Sequence, residues 1–145
     1  MKALRRNKRT FWYCTVKTEN GAAAMREIID EYGNGTGQYI VLYNNPVSIR
    51  ANVSPATGQS NTEQFGNLEN YDKVIVTDDL NCPIDENSVL FIDKEPEFTE
   101  AITHSPTAIT TEEETVSVPD FDYTVRRVAK SLNSVSIAVR KVNVS

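Results

Sequence analysis

The sequence is poor in the residues from which most active sites are built, with one histidine, two cysteines and one tryptophan in 145 residues. His104 has no Cys, Asp or Glu around it at metal-ligand spacing, so neither a zinc site nor a histidine-based catalytic pair assembles there. Cys14 and Cys82 lie in different segments without a CxxC pairing and read as reduced thiols in or near a core. Gly33, Gly35 and Gly37 match no GxGxxG and precede no Lys-Ser or Lys-Thr pair, which makes them turn residues rather than a phosphate cradle. No nucleophile, base and orienting group can be named together, so neither an enzyme nor a cofactor is expected. No apolar run approaches the roughly 20 residues that cross a bilayer, and the basic start leads into Phe11, Trp12, Tyr13 and Cys14 rather than a signal-peptide stretch. A soluble, unprocessed product without a membrane role is therefore expected.

What is present is a folded-protein composition, with 39% hydrophobic and 24% charged residues. The net charge is -5, but Lys2, Arg5, Arg6, Lys8 and Arg9 supply five positive charges, leaving -5 minus 5, or -10, on everything after Arg9. The reading is a basic arm over residues 1–9 on an acidic single-domain body over 10–145. Such a body repels phosphates and argues against a sequence-reading nucleic-acid binder, while the arm alone suits a nucleic-acid backbone or an acidic partner surface.

Strand patterns dominate. Arg9 to Val16 is rich in Thr, aromatic and Val residues, and Tyr39 to Tyr43 has a similar composition. Val47, Ile49, Ala51 and Val53 alternate with Ser48, Arg50 and Asn52, the period of a strand with one wet face. Val74 to Val76 and Val89 to Ile92 are short buried-type runs. Phe121, Tyr123, Val125 and Val128, then Val135, Ile137, Val139, Val142 and Val144, predict a long hairpin turning at Leu132, Asn133 and Ser134. Ala22 to Tyr32 carries a weak helical signal that Gly33 to Gly37 break, and an extended loop or a hairpin turning at Asn34 and Gly35 fits better. The fold class is all-β, a small barrel or sandwich of about six strands with long projecting loops.

Two segments read as loops. Asp78 to Glu86 is polar, and its Asp78, Asp79, Asp85 and Glu86 lack the ordered spacing and central glycine of a calcium loop. Glu95 to Asp120 holds three prolines, six threonines, seven acids and no Lys or Arg, a loop composition at a length uncommon in compact domains unless it serves a function. Phe11, Trp12 and Tyr13 beside the arm have the makings of a stacking platform for single-stranded nucleic acid. Alternation along a strand nevertheless sends at least one of them into the core.

Several stretches resemble, in order and spacing, the head-closure (stopper) proteins of siphophages and of prophages in Gram-positive bacteria. They are MKALRRNKRTFWYC, DEYGNGTGQY, NPVSIRANVSPATG, EQFGNLENYDKVIVTDD, CPIDENSVLFID and DYTVRRVAKSLNSVSIAVRKV, and they cover most of the chain except the acidic loop. The resemblance implies a β-barrel subunit of a ring, a dodecamer, in the head-tail neck of the virion, made in the host cytoplasm. Its partners would be other copies, portal-adaptor proteins on the head side and a tail terminator or tail tube on the other. Packaged double-stranded DNA would pass its lumen without sequence recognition. On that expectation Glu97, Glu100, Glu112, Glu113 and Glu114 face the channel and repel phosphates, and Lys2, Arg5, Arg6, Lys8 and Arg9 reach a neighbouring ring. The rivals are a tail-terminator or tail-completion protein, which normally packs a helix on its sheet, and a single-strand-binding barrel using Phe11, Trp12 and Tyr13.

Overall fold

The computed structural model describes residues 8–55, 71–104 and 113–142. Among these residues there are twelve strands and no helix. In chain order they are β1 (Lys8–Cys14), β2 (Thr18–Glu19), β3 (Ala22–Ala23), β4 (Met25–Ile29), β5 (Gly35–Val41) and β6 (Val47–Pro55). They continue with β7 (Lys73–Thr77), β8 (Val89–Phe91), β9 (Phe98–His104), β10 (Glu113–Pro119), β11 (Tyr123–Lys130) and β12 (Val135–Lys141). The expected single domain divides instead into two compact units, one of residues 8–15, 46–55, 71–95 and 121–142, the other of residues 16–45, 96–104 and 113–120.

The first unit is a closed barrel in the order β1-β6-β7-β12-β11-β8, with every neighbouring pair antiparallel. Alternation decides what fills it. Phe11 and Tyr13 of β1, Ala51 of β6, Ile75 of β7, Leu90 of β8, Tyr123 and Val125 of β11 and Val135, Ile137 and Val139 of β12 form one core, joined by Cys82, Ile84 and Ile92. Each fully buried aliphatic or aromatic side chain contributes roughly 1.5–3 kcal/mol, and a barrel this small has its interior filled by side chains rather than a ligand. Val125 and Val128 both reach this core although three residues apart, because a bulge between Val125 and Arg127 resets the alternation. A second cluster, Val74 and Ala138 with Tyr71, Val76 and Ala129, packs separately from it. The wet face expected of β6 is only partly wet: Ser48 and Arg50 are exposed, but Asn52 is buried.

The second unit is a four-stranded antiparallel sheet in the order β10-β9-β4-β5, with a two-stranded ribbon of β2 and β3. The ribbon turns at Asn20 and Gly21, whose φ angles of 53° and 81° are the pair of left-handed conformations a two-residue type I′ hairpin requires. The region that weakly signalled a helix is strand β4, joined to β5 by a turn that the Asp30 carboxylate organises by accepting the amides of Tyr32 and Asn34.

The segment expected as one acidic loop over 95–120 is corrected most. It contains β9 and β10, paired over seven rungs from Glu113 opposite His104 to Pro119 opposite Phe98. Its threonines, valines and isoleucine fit a pleated surface, Pro96 lies before β9, and Pro119 ends β10 where a missing amide costs least. Acids on the exposed side made a strand look like a loop.

Candidate functional site

Registers in the four-stranded sheet assign its two faces. Ile28 pairs with Thr103 and Glu27 with Tyr39, and paired residues share a face while sequence neighbours alternate. One face therefore carries Met25, Glu27, Tyr39, Phe98, Glu100, Ile102, His104 and Glu113. Four of these are large apolar side chains left open, with Met25 48%, Tyr39 59%, Phe98 47% and Ile102 49% exposed. Acids interleave with them, Glu100 and Glu113 both being exposed. Open apolar side chains set among acids in this way suit contact with another protein surface.

The opposite face is held by Arg26, which is only 7% exposed. Its Nη1 and Nη2 donate to the two carboxylate oxygens of Glu19, each at 2.7 Å. Its Nε donates to Glu114 Oε2 at 3.1 Å, and Nη1 also reaches the Met25 carbonyl. The fork thus ties the β2–β3 ribbon, β4 and β10 together by charge-assisted bonds. Glu114 is in this way separated from Glu113: the two point to opposite faces, and Glu114 is engaged internally. Of the other expected channel acids, Glu97 is exposed ahead of β9, and Glu112 lies outside the described residues.

Arg26→Ala is expected to lower stability by about 2 kcal/mol, less than for a fully buried ion pair because the carboxylates of Glu19 and Glu114 stay partly hydrated. Urea unfolding of the two proteins measures it. The Glu19 carboxyl is held below its usual range, chiefly by the hydrogen bond from Arg26 and also by its charge and that of Lys17, against a smaller opposing effect of burial. A lowered folded-state value means stabilisation that is present above the ordinary glutamate range and lost as pH falls through the lowered value. Glu19→Gln should accordingly flatten the acid limb of a stability-against-pH curve.

The N-terminal cations are also redistributed. Lys8 and Arg9 are not arm residues but the first two of β1. Arg9 Nη2 donates to the Ile92 carbonyl at 2.7 Å and to Asp93 Oδ1 at 3.4 Å. Lys2, Arg5 and Arg6 lie outside the described residues.

Arg9 belongs to a network that sequence reasoning missed. Strand β8 has three residues, so its ladder stops at Phe91. Beyond it the Asp122 carboxylate accepts the amides of Ile92 at 2.9 Å and Asp93 at 2.8 Å. The Asp93 carboxylate in turn accepts the Tyr123 hydroxyl at 2.8 Å. Burial first, then the Asp93 hydrogen bond and the charges of Asp93, Asp122 and Asp72, push the Tyr123 phenol well above its usual value and keep it a neutral donor.

Other sequence candidates have structural employment. Phe11 is fully buried and Tyr13 nearly so, leaving only Trp12 of the aromatic trio partly accessible. Asp79 and Asp85 cap their own turns by accepting the amides of Asn81 and Asn87. His104 ends β9 opposite Glu113. Cys14 and Cys82 are buried and unbridged, and burial pushes the Cys14 thiol up to about 11. Ile84, Asp85, Glu86, Val128 and Lys130 line an open recess of about 420 Å³, but its Asp85 carboxylate is committed to the Asn87 amide and the Ser88 hydroxyl.

No protein-family model matches this chain, and no curated protein sequence and no solved structure is significantly similar to it.

Proposed function

We propose that this chain is a ring-forming structural subunit of the neck of a tailed bacteriophage, a head-closure protein joining the DNA-filled head to the tail. The observation that carries the reading is the exposed face with Met25, Tyr39, Phe98 and Ile102 set among acids, a surface fitted to other protein subunits. The sequence resemblance and the closed all-β barrel support it. Glu100 and Glu113 add negative charge that would repel DNA phosphates rather than bind them. The neighbouring partners on this reading are a portal adaptor and a tail terminator or tail tube.

The tail-terminator alternative loses the one feature that favoured it, since Met25–Ile29 is a strand. The single-strand-binding alternative loses two of its three aromatics to the barrel core. A phage with this gene disrupted should accumulate separate tails and heads that fail to retain their DNA. Normal yields of joined, infectious particles would sink the proposal.

A further inference from the structure

We propose that copies of this chain join head to tail through the four-stranded sheet, with β5 of one copy pairing antiparallel to β10 of the next. The inference deepens the ring reading and rests on it for the head-to-tail arrangement. Its basis is the sheet's topology. In the order β10-β9-β4-β5 every neighbouring pair is antiparallel, and among the described residues neither β5 nor β10 has a strand on its outer side. Four alternating strands make the two edges run in opposite directions. A head-to-tail neighbour presents its β10 in the same sense as the first copy's own, so it meets β5 antiparallel, the more stable pairing. An odd number of strands would have forced a parallel seam.

The edges also match in detail. Each spans seven residues, Gly35–Val41 and Glu113–Pro119. Aligning the strands end to end places Tyr39 opposite Thr115, an aromatic and a β-branched residue of the kind that pair favourably across strands. Both lie on the exposed face of the sheet, so its open apolar side chains would continue across the seam. The Leu42 amide bonds Ala24, which by alternation turns the amides and carbonyls of Tyr39 and Val41 outward. The irregularity in the β4–β5 pairing lies between Tyr39 and Gly35, leaving the Tyr39–Val41 half regular. Strand edges that must stay solitary are usually guarded by charge, but β5, Gly-Thr-Gly-Gln-Tyr-Ile-Val, has none. The Glu27 carboxylate accepts the Gly37 amide and so sits at the Gly35–Gly37 end, whereas Glu113 and Glu114 of an incoming β10 fall at the Ile40–Val41 end.

The test is disulfide crosslinking of the full-length chain carrying Tyr39→Cys and Thr115→Cys, with native mass spectrometry of the same samples. Cys14 and Cys82 are buried with raised thiol pKa values and should not interfere. Oxidation should give a ladder of covalent multimers beyond the dimer, absent from either single variant and collapsed by reductant. A second pair on the opposite face, Gln38→Cys with Val116→Cys, should give the same ladder and guards against loss of the Tyr39 contact. Dimers from Tyr39→Cys alone would show a twofold β5–β5 contact and overturn the proposal. Rings in the mass spectrum without crosslinks from either pair would overturn the seam and leave the ring reading standing. Monomers alone at every concentration would count against both.

Discussion

Asp122→Ala is expected to be among the most destabilising single substitutions in the barrel, at roughly 3 kcal/mol. Closure depends on β8, whose three residues pair with β1 at Trp12, Tyr13 and Cys14 and with β11 at Tyr123 and Thr124. Past Phe91 no ladder partner is supplied, and the Asp122 carboxylate takes its place by accepting two successive backbone amides. The same residue is anchored through its backbone, its amide donating to Leu90 and its carbonyl accepting from Val142. Removing the carboxylate strands two amide donors, each costing about 1–3 kcal/mol when buried. The value in the lower half of the summed range reflects water access on the Asp93 side, where that side chain is 37% exposed. Asp122→Asn keeps one acceptor oxygen and should fall about halfway. Urea unfolding midpoints measure both, and a change below about 1 kcal/mol for the alanine variant would show that the seam does not depend on this carboxylate.

The second large effect separates two neighbours on β1. Phe11→Ala is expected to cost about 4 kcal/mol, the range for emptying an aromatic site in a packed core, because its side chain has no exposed surface. Trp12→Ala, pointing out of the barrel, should cost clearly less despite removing a larger ring. Thermal unfolding of the two variants reads the difference directly. The same pair bears on nucleic acid: a barrel that used this strand as a stacking platform would lose salt-sensitive oligonucleotide affinity in Trp12→Ala. The structural reading expects no such affinity in the parent protein.

These two cases show what could be read from the chain. The barrel strands were legible where alternation was clean, as in Val135, Ile137 and Val139, and the bulge left its trace in the three-residue step from Val125 to Val128. The β9–β10 pair was hidden because acids and threonines fall on both of its faces, so composition outweighed the alternation of Val116 and Val118 with Ser117. Once the segment is a strand pair, a run such as Glu113-Glu114 splits between its two faces. Asn20-Gly21 is a local hairpin signal that needs no tertiary context, since both residues take the left-handed φ of a two-residue turn. The Asp122 seam and the Arg26 fork had no local signal, since the seam reaches 29 and 30 residues along the chain and the fork 88. A buried arginine or aspartate becomes visible only when the fold brings its partners to it.

Position in the particle tests the proposed role as a structural subunit of a phage neck. Electron microscopy of phage carrying a small tag at Ser145 should place the label in a ring at the junction of head and tail. Label absent from purified particles, or located on the capsid shell or the tail tip, would contradict the account.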